Sequence, residues 1–125
     1  MRRQIEHTAD VAYEISGRSF LDLLEEAKNI LLEEERIVFG EGEEKEKIYS
    51  SEETEDNFFD TVNDWILEIS RGWAPWRVEF IEDGIRTVFK KIRKKEGTEV
   101  KALTYHLLNF ERENETIKTK VVFDT

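Results

Sequence analysis

Cysteine is absent from these 125 residues, and proline, methionine and glutamine occur once each. Without thiols the chain has no disulfide, no thiolate zinc site and no cysteine nucleophile. Any metal must therefore be held by oxygen or imidazole. No run approaches the ~20 apolar residues that a membrane span needs. Met1-Arg2-Arg3-Gln4-Ile5-Glu6 carries basic residues with no apolar stretch behind them, which argues against a secretory signal. A cytoplasmic protein is the simplest expectation. Also missing are a glycine-rich phosphate loop, a His-Glu-x-x-His helix and a serine nucleophile elbow, so nothing here specifies an enzyme. Basic charge is in deficit too: 19 Lys and Arg stand against 29 Asp and Glu, a formal charge of −10. Nucleic-acid binders neutralise phosphates with clustered cations, so no direct nucleic-acid binding is expected. A basic protein partner or a bound cation suits this balance.

What is present fits a single domain over residues 1–125, long enough for one core. Val11, Tyr13 and Ile15 alternate with Ala12 and Glu14, which predicts a strand ended by Gly17. Ser19 then reads as a helix cap with Asp22 three residues on. Phe20, Leu23, Leu24, Ala27, Ile30 and Leu31 follow at helical spacing, giving an amphipathic helix to about residue 35. Ile37-Val38-Phe39 predicts a short strand, the acidic stretch Gly40 to Lys47 a turn, and Ile48-Tyr49 the start of another strand. A second helix opens at Thr54 or Asp56, with Phe58, Val62, Trp65, Ile66 and Ile69 on its apolar face. Beyond Gly72 and Pro75 the period becomes two, through Val78 and Phe80 and then Val88 and Ile92, with Asp83-Gly84 as a hairpin signal. Further strands are expected at 99–103, 104–112 and 116–123. Two helices on a mostly antiparallel or mixed sheet make a layered α+β domain.

The chemistry-bearing residues gather in motifs at the two ends. His7-Thr8-Ala9-Asp10-Val11 opens the chain, and Glu99-Val100-Lys101-Ala102-Leu103-Thr104-Tyr105-His106 lies near its close, before Val121-Val122-Phe123-Asp124-Thr125. Asp10 and Asp124 border apolar strands, where a lone carboxylate is costly. Two carboxylates with carbonyls and water form a hard-oxygen site for Ca²⁺, Mg²⁺ or Mn²⁺. The plainer reading is a turn cap and a solvated terminal group, and 113 residues lie between the two. His7 and His106 read as metal ligands, as a pair behind the ligands, or as core histidines with a polar partner. Lys101 is a charge-balancing group or an edge-strand lysine that guards against aggregation. The basic run Lys90-Lys91-Ile92-Arg93-Lys94-Lys95 reads as the polar end of a hairpin, without interleaved aromatics for base stacking. Trp73 and Trp76 are expected in the core below the second helix.

These three motifs, in this order in one small acidic domain, resemble the signatures of the archease family. The likeness covers roughly residues 5–35 and 97–125, with Asp64-Trp65-Ile66-Leu67 similar to a stretch of the family's second helix. The resemblance implies a non-catalytic helper of an RtcB-type RNA ligase in tRNA splicing and RNA repair. It also implies a divalent cation, often Ca²⁺, on the aspartates matching Asp10 and Asp124. His7, Thr8, Lys101, Tyr105 and His106 match positions behind the ligands or at a partner contact. Two departures stand out: Lys94-Lys95-Glu96-Gly97-Thr98 replaces a longer family loop, and Thr125 stands where an aliphatic residue is usual. Two other readings are a small divalent-metal-dependent phosphohydrolase and a chaperone-like adaptor for an RNA-modification enzyme.

Overall fold

The computed structural model describes residues 1–5 and 10–125. Along these residues the elements run β1 (Arg2–Ile5), β2 (Val11–Gly17), α1 (Phe20–Glu34), β3 (Ile37–Tyr49), α2 (Glu55–Ser70), β4 (Trp73–Ile81), β5 (Gly84–Lys95), β6 (Ala102–Leu103), β7 (Glu111–Glu113) and β8 (Thr116–Asp124). The fold is α+β and every strand pairing is antiparallel. One sheet has the order β1-β2-β8-β6, with β7 also on β8, and the other has the order β3-β5-β4. The chain's two ends therefore meet in the first sheet, while the second is built from consecutive local strands.

Both helices form where capping and periodicity place them. The Ser19 hydroxyl accepts the Asp22 N–H at 3.1 Å, and the Asp22 carboxylate accepts the Arg18 N–H at 2.8 Å. Two donors at the helix start, which have no carbonyl partner in the helix, are thereby satisfied. Thr54 does the same for Asn57 at the start of α2. All eleven apolar side chains expected on the two helix faces are buried. Helix α1 packs on β2, β8 and β4, and α2 on β4 and β6, so the helices tie the two sheets into one core. Trp65 is central to it: fully buried, its indole N–H donates to the Thr87 hydroxyl of β5 at 3.1 Å.

The second sheet departs from expectation in three places. Gly40 to Lys47 is not a turn; it belongs to one strand running from Ile37 to Tyr49, with register shifts between Val38 and Glu44. An edge strand tolerates glycine and alternating charge because one flank faces water. Trp73 and Trp76 are only half-buried, since β4 is an edge strand and a register shift between Pro75 and Arg77 leaves Trp76 without a partner residue in β5. Lys45 and Lys91 lie over the Trp73 ring at 5.1 and 5.7 Å, and Lys90 and Arg77 over Trp76 at 3.8 and 4.9 Å. The basic run thus does have aromatic neighbours, and they hold its cations by cation–π attraction. Phe80, expected inside with Val78, is 49% exposed one step from the hairpin turn. The turn itself is Glu82-Asp83, followed by Gly84 at φ +148°, where a Cβ would stand 2.3 Å from the Tyr49 carbonyl oxygen.

In the first sheet, β1 is a strand that the sequence pattern does not announce. Residues 104–110 are not a strand, because Tyr105 leaves β8 to meet α2.

Candidate functional site

The register of β2 against β8 is set by its buried side chains: Tyr13 pairs with Val121, and Val11 with Phe123. The ladder ends at Val11 and Phe123, so Asp10 and Asp124 are the next residues on the two strands. On the other flank of Asp124, Ala102 is its partner in β6, and the Lys101 N–H donates to the Asp124 carbonyl at 2.8 Å. Asp124 is exposed and Asp10 half-buried, so the sheet end opens to solvent.

Of the predicted site residues, Asp124 and Lys101 are joined by a main-chain hydrogen bond, and Asp10 follows the last pair of the β2–β8 ladder. Their oxygen donors fit a hard divalent cation. Among the described residues no cluster of three or more carboxylate or imidazole groups could hold a metal. The remaining ligands would be main-chain carbonyls, water, or residues outside the described ones. His7 and Thr8 lie outside the described residues.

Tyr105 and His106 lie apart from the aspartates. From Ala102, opposite Asp124, the chain runs back along β8, where the Thr104 N–H donates to the Val122 carbonyl at 2.9 Å, and it leaves the sheet at Tyr105. There the Tyr105 hydroxyl donates to the Asp56 carboxylate in the first turn of α2, and its ring meets Phe59 at 5.0 Å between centroids. The hydrogen bond to Asp56 leads the causes that push the Tyr105 hydroxyl up to about 12. His106 is exposed in the turn that follows.

Sequence reasoning passed over the residues that position this region. Asn63, in the middle of α2, accepts the Leu103 N–H at 2.8 Å and donates to the Leu103 carbonyl at 3.1 Å. This two-way clasp latches β6 to α2 and fixes where Lys101 and Ala102 lie. A poor helix former in mid-helix is the one signal that could have marked it. The short loop before Glu99 has its own fastening, for Gly97 N–H and Thr98 N–H donate to the carbonyls of Glu35 and Glu34 at 3.0 and 2.9 Å. A Cβ on Gly97 would fall 2.1 Å from the Glu34 carbonyl oxygen, so this contact needs glycine. Beneath the loop Glu35 is 2% exposed; burial pushes its carboxyl up, opposed by Lys95 at 3.5 Å. A cleft of about 360 Å³ between this loop and α2 is lined by Glu35, Asn63, Leu67, Lys95 and Lys101.

Residues 3–125 match the model of the archease protein family. A protein archease of Thermotoga maritima is 70% identical over 125 residues, covering all of both chains. The crystal structure of an archease from that organism, titled a possible chaperone, superposes with a TM-score of 0.90 and covers 100% of this chain and 98% of that one. The solution structure of protein 1598 of Methanobacterium thermoautotrophicum reaches 0.66 at 19% identity, covering 99% and 98%, and shares the fold.

Proposed function

The chain belongs to the archease family, and on that premise we propose that it assists an RNA ligase and catalyses no reaction itself. The proposed partner is an RtcB-type ligase active in tRNA splicing and RNA repair. The chain would promote guanylylation of the ligase's active-site histidine and support repeated turnover. Asp10 and Asp124 would hold a divalent cation, Ca²⁺ before Mg²⁺ or Mn²⁺, because Ca²⁺ is less demanding than Mg²⁺ about the geometry of its oxygen ligands. When bound, the cation supplies positive charge that can organise phosphate or carboxylate oxygens of the partner's reaction. What supports the reading is the β2–β8 ladder, which ends at Val11 and Phe123 with Asp10 and Asp124 as the next residue on each strand. Lys101 lies next to them through its hydrogen bond to Asp124. The net charge of −10 suits approach to a basic ligase cleft.

Two measurements test this. Calorimetric Ca²⁺ titration should show binding by the wild type and its loss in Asp10→Ala; equal affinity in both would sink the site. Addition of the protein to purified ligase should raise the guanylylate formed per ligase, and no rise above ligase alone rejects the function. The adaptor reading draws support from the Thermotoga structure's description as a possible chaperone. Suppressed aggregation of an RNA-modification enzyme, with no effect on the ligase, would favour it. Turnover of a phosphoester with Mn²⁺, abolished in Asp124→Ala, would favour the phosphohydrolase instead.

A further inference from the structure

Glu35 is a buried acid in a poor place for a negative charge. It caps the C-terminal end of α1, where the helix dipole is negative and the last turn carries no basic residue. Among the described residues its Oε2 has no hydrogen-bond partner. Lys95 of β5 stands 3.5 Å from Oε1, longer than the ~2.7–2.9 Å of a charge-assisted hydrogen bond. Glu99 of the following loop acts on it with the same sign. Lys101 completes the charged groups lining the cleft beside it, where α2 contributes Asn63 and Ser70, neither of which titrates. On its own element, Glu34 is taken up by the Tyr13 hydroxyl and Arg36 is exposed. A carboxyl so placed is held most easily in its neutral form.

A short stretch of backbone connects this acid to Asp124. The loop over Glu35 is pinned by the Gly97 and Thr98 N–H groups, which donate to the main-chain carbonyls of Glu35 and Glu34. Further along it, the Val100 N–H acts on the Glu35 carboxyl. One residue later the Lys101 N–H donates to the Asp124 carbonyl, and Ala102 pairs with Asp124 in the sheet. Ionisation of a buried carboxyl favours any arrangement that admits water to it, and what would have to move is this loop. We propose that Glu35 is a positioning residue for the cation site: neutral, it lets the loop at 96–101 close and hold Asp124; ionised, it loosens both. The proposal rests on the cation reading of Asp10 and Asp124. The sign follows from linkage: a carboxyl raised in the closed arrangement favours closure at low pH, and that advantage is lost as pH rises above the ordinary carboxylate range.

The test is calorimetric Ca²⁺ titration of wild type and Glu35→Gln at pH 5 and pH 8, with hydrogen-exchange protection of the Gly97 and Thr98 amides measured without Ca²⁺. Gln mimics the neutral acid, so the two proteins are expected to match at pH 5. At pH 8 the wild type should bind Ca²⁺ about fivefold more weakly than Glu35→Gln, a modest coupling between sites. Its two loop amides should also be the less protected. Both proteins keep His7 and His106, so the ratio of affinities isolates Glu35 from the histidines; a merely structural glutamate would shift affinity equally at both pH values. Gly97→Ala, whose Cβ meets the Glu34 carbonyl oxygen, should weaken Ca²⁺ binding at either pH. A ratio that does not change with pH, or wild-type affinity in Gly97→Ala, overturns the proposal and leaves the cation reading intact. A wild-type protein that binds no Ca²⁺ overturns both.

Discussion

In the second sheet charges face their opposites. Glu79 of β4 stands directly across from Arg86 of β5 and accepts hydrogen bonds from its guanidinium, and Glu44 of β3 stands across from Lys90 at 3.9 Å. Lys45 and Lys47 reach Glu68 and Asp64 of α2. The first sheet also pairs opposite charges, Glu14 with Arg3 and Lys120 and Glu111 with Lys118, but its β2–β8 ladder runs out into two acidic residues, Asp10 after Val11 and Asp124 after Phe123. Cross-strand opposite charges are a modest stabiliser, whereas like charges directly opposed are a cost. The comparison separates charges paired across strands from the two strand-end carboxylates proposed to hold a cation.

The firmest way to break the contrast is to sever the two sheets. Trp65→Ala should cost ~3–5 kcal/mol for a fully buried Trp, read by urea unfolding, and should take both sheets down in one transition. Next in size, Asp124→Ala should lower Ca²⁺ affinity on the order of 100-fold, about 2.8 kcal/mol at 1.4 per decade. Glu79→Ala, a carboxylate of the paired kind, should leave Ca²⁺ affinity where it was. If titration shows the two variants alike, the distinction between the sheets fails. Asn63→Ala leaves the main-chain groups of Leu103 unmet and should cost ~1–3 kcal/mol. It should also weaken Ca²⁺ binding, because β6 is no longer held against α2.

The smallest effects come from pH and have opposite signs. Burial raises the Glu68 carboxyl, but hydrogen bonds from Lys45 and Lys47 outweigh it and leave the group below its ordinary value of 4.5. A depressed folded value gives stability that is present above the ordinary range and lost as pH falls below about 4.5. Glu68→Gln should therefore be less stable than wild type at pH 7, with the gap closing in acid. Glu35, raised by burial, gives stability present at low pH and lost as pH rises above about 4.5. Glu35→Gln should gain on wild type toward neutrality. Urea unfolding at pH 4 and pH 7 reads both, and gaps that move the same way would contradict the assignment.

Much of this was legible along the chain, and the illegible parts have physical reasons. The faces of α1 and α2 could be read because helical periodicity is a local property. The β4–β5 hairpin could be read from Asp83-Gly84, although the residues at its tip are Glu82 and Asp83. Strand β3 could not, because Gly40-Glu41-Gly42-Glu43 has the composition of a turn and is a strand only as the solvent-facing edge beside β5. The end motifs marked candidate residues but not their arrangement. Tyr105 stands next to His106 in a signature, yet it belongs to the first turn of α2 through Asp56. Asn63 carries no motif, and its role exists only once Leu103 is beside it.

The sequence by itself determined the α+β class, the two amphipathic helices with their caps, and the absence of thiol chemistry, because these depend on composition and on neighbours within a few residues. Only the tertiary structure decided that β2 and β8, which lead to Asp10 and Asp124, pair side by side and that Tyr105 bonds to α2. That register is set by Tyr13, Ile15, Val121 and Phe123 fitting one core, where a slip of a single residue would turn each of them to the other face. No local pattern encodes a pairing between opposite ends of a chain; the packed core selects it.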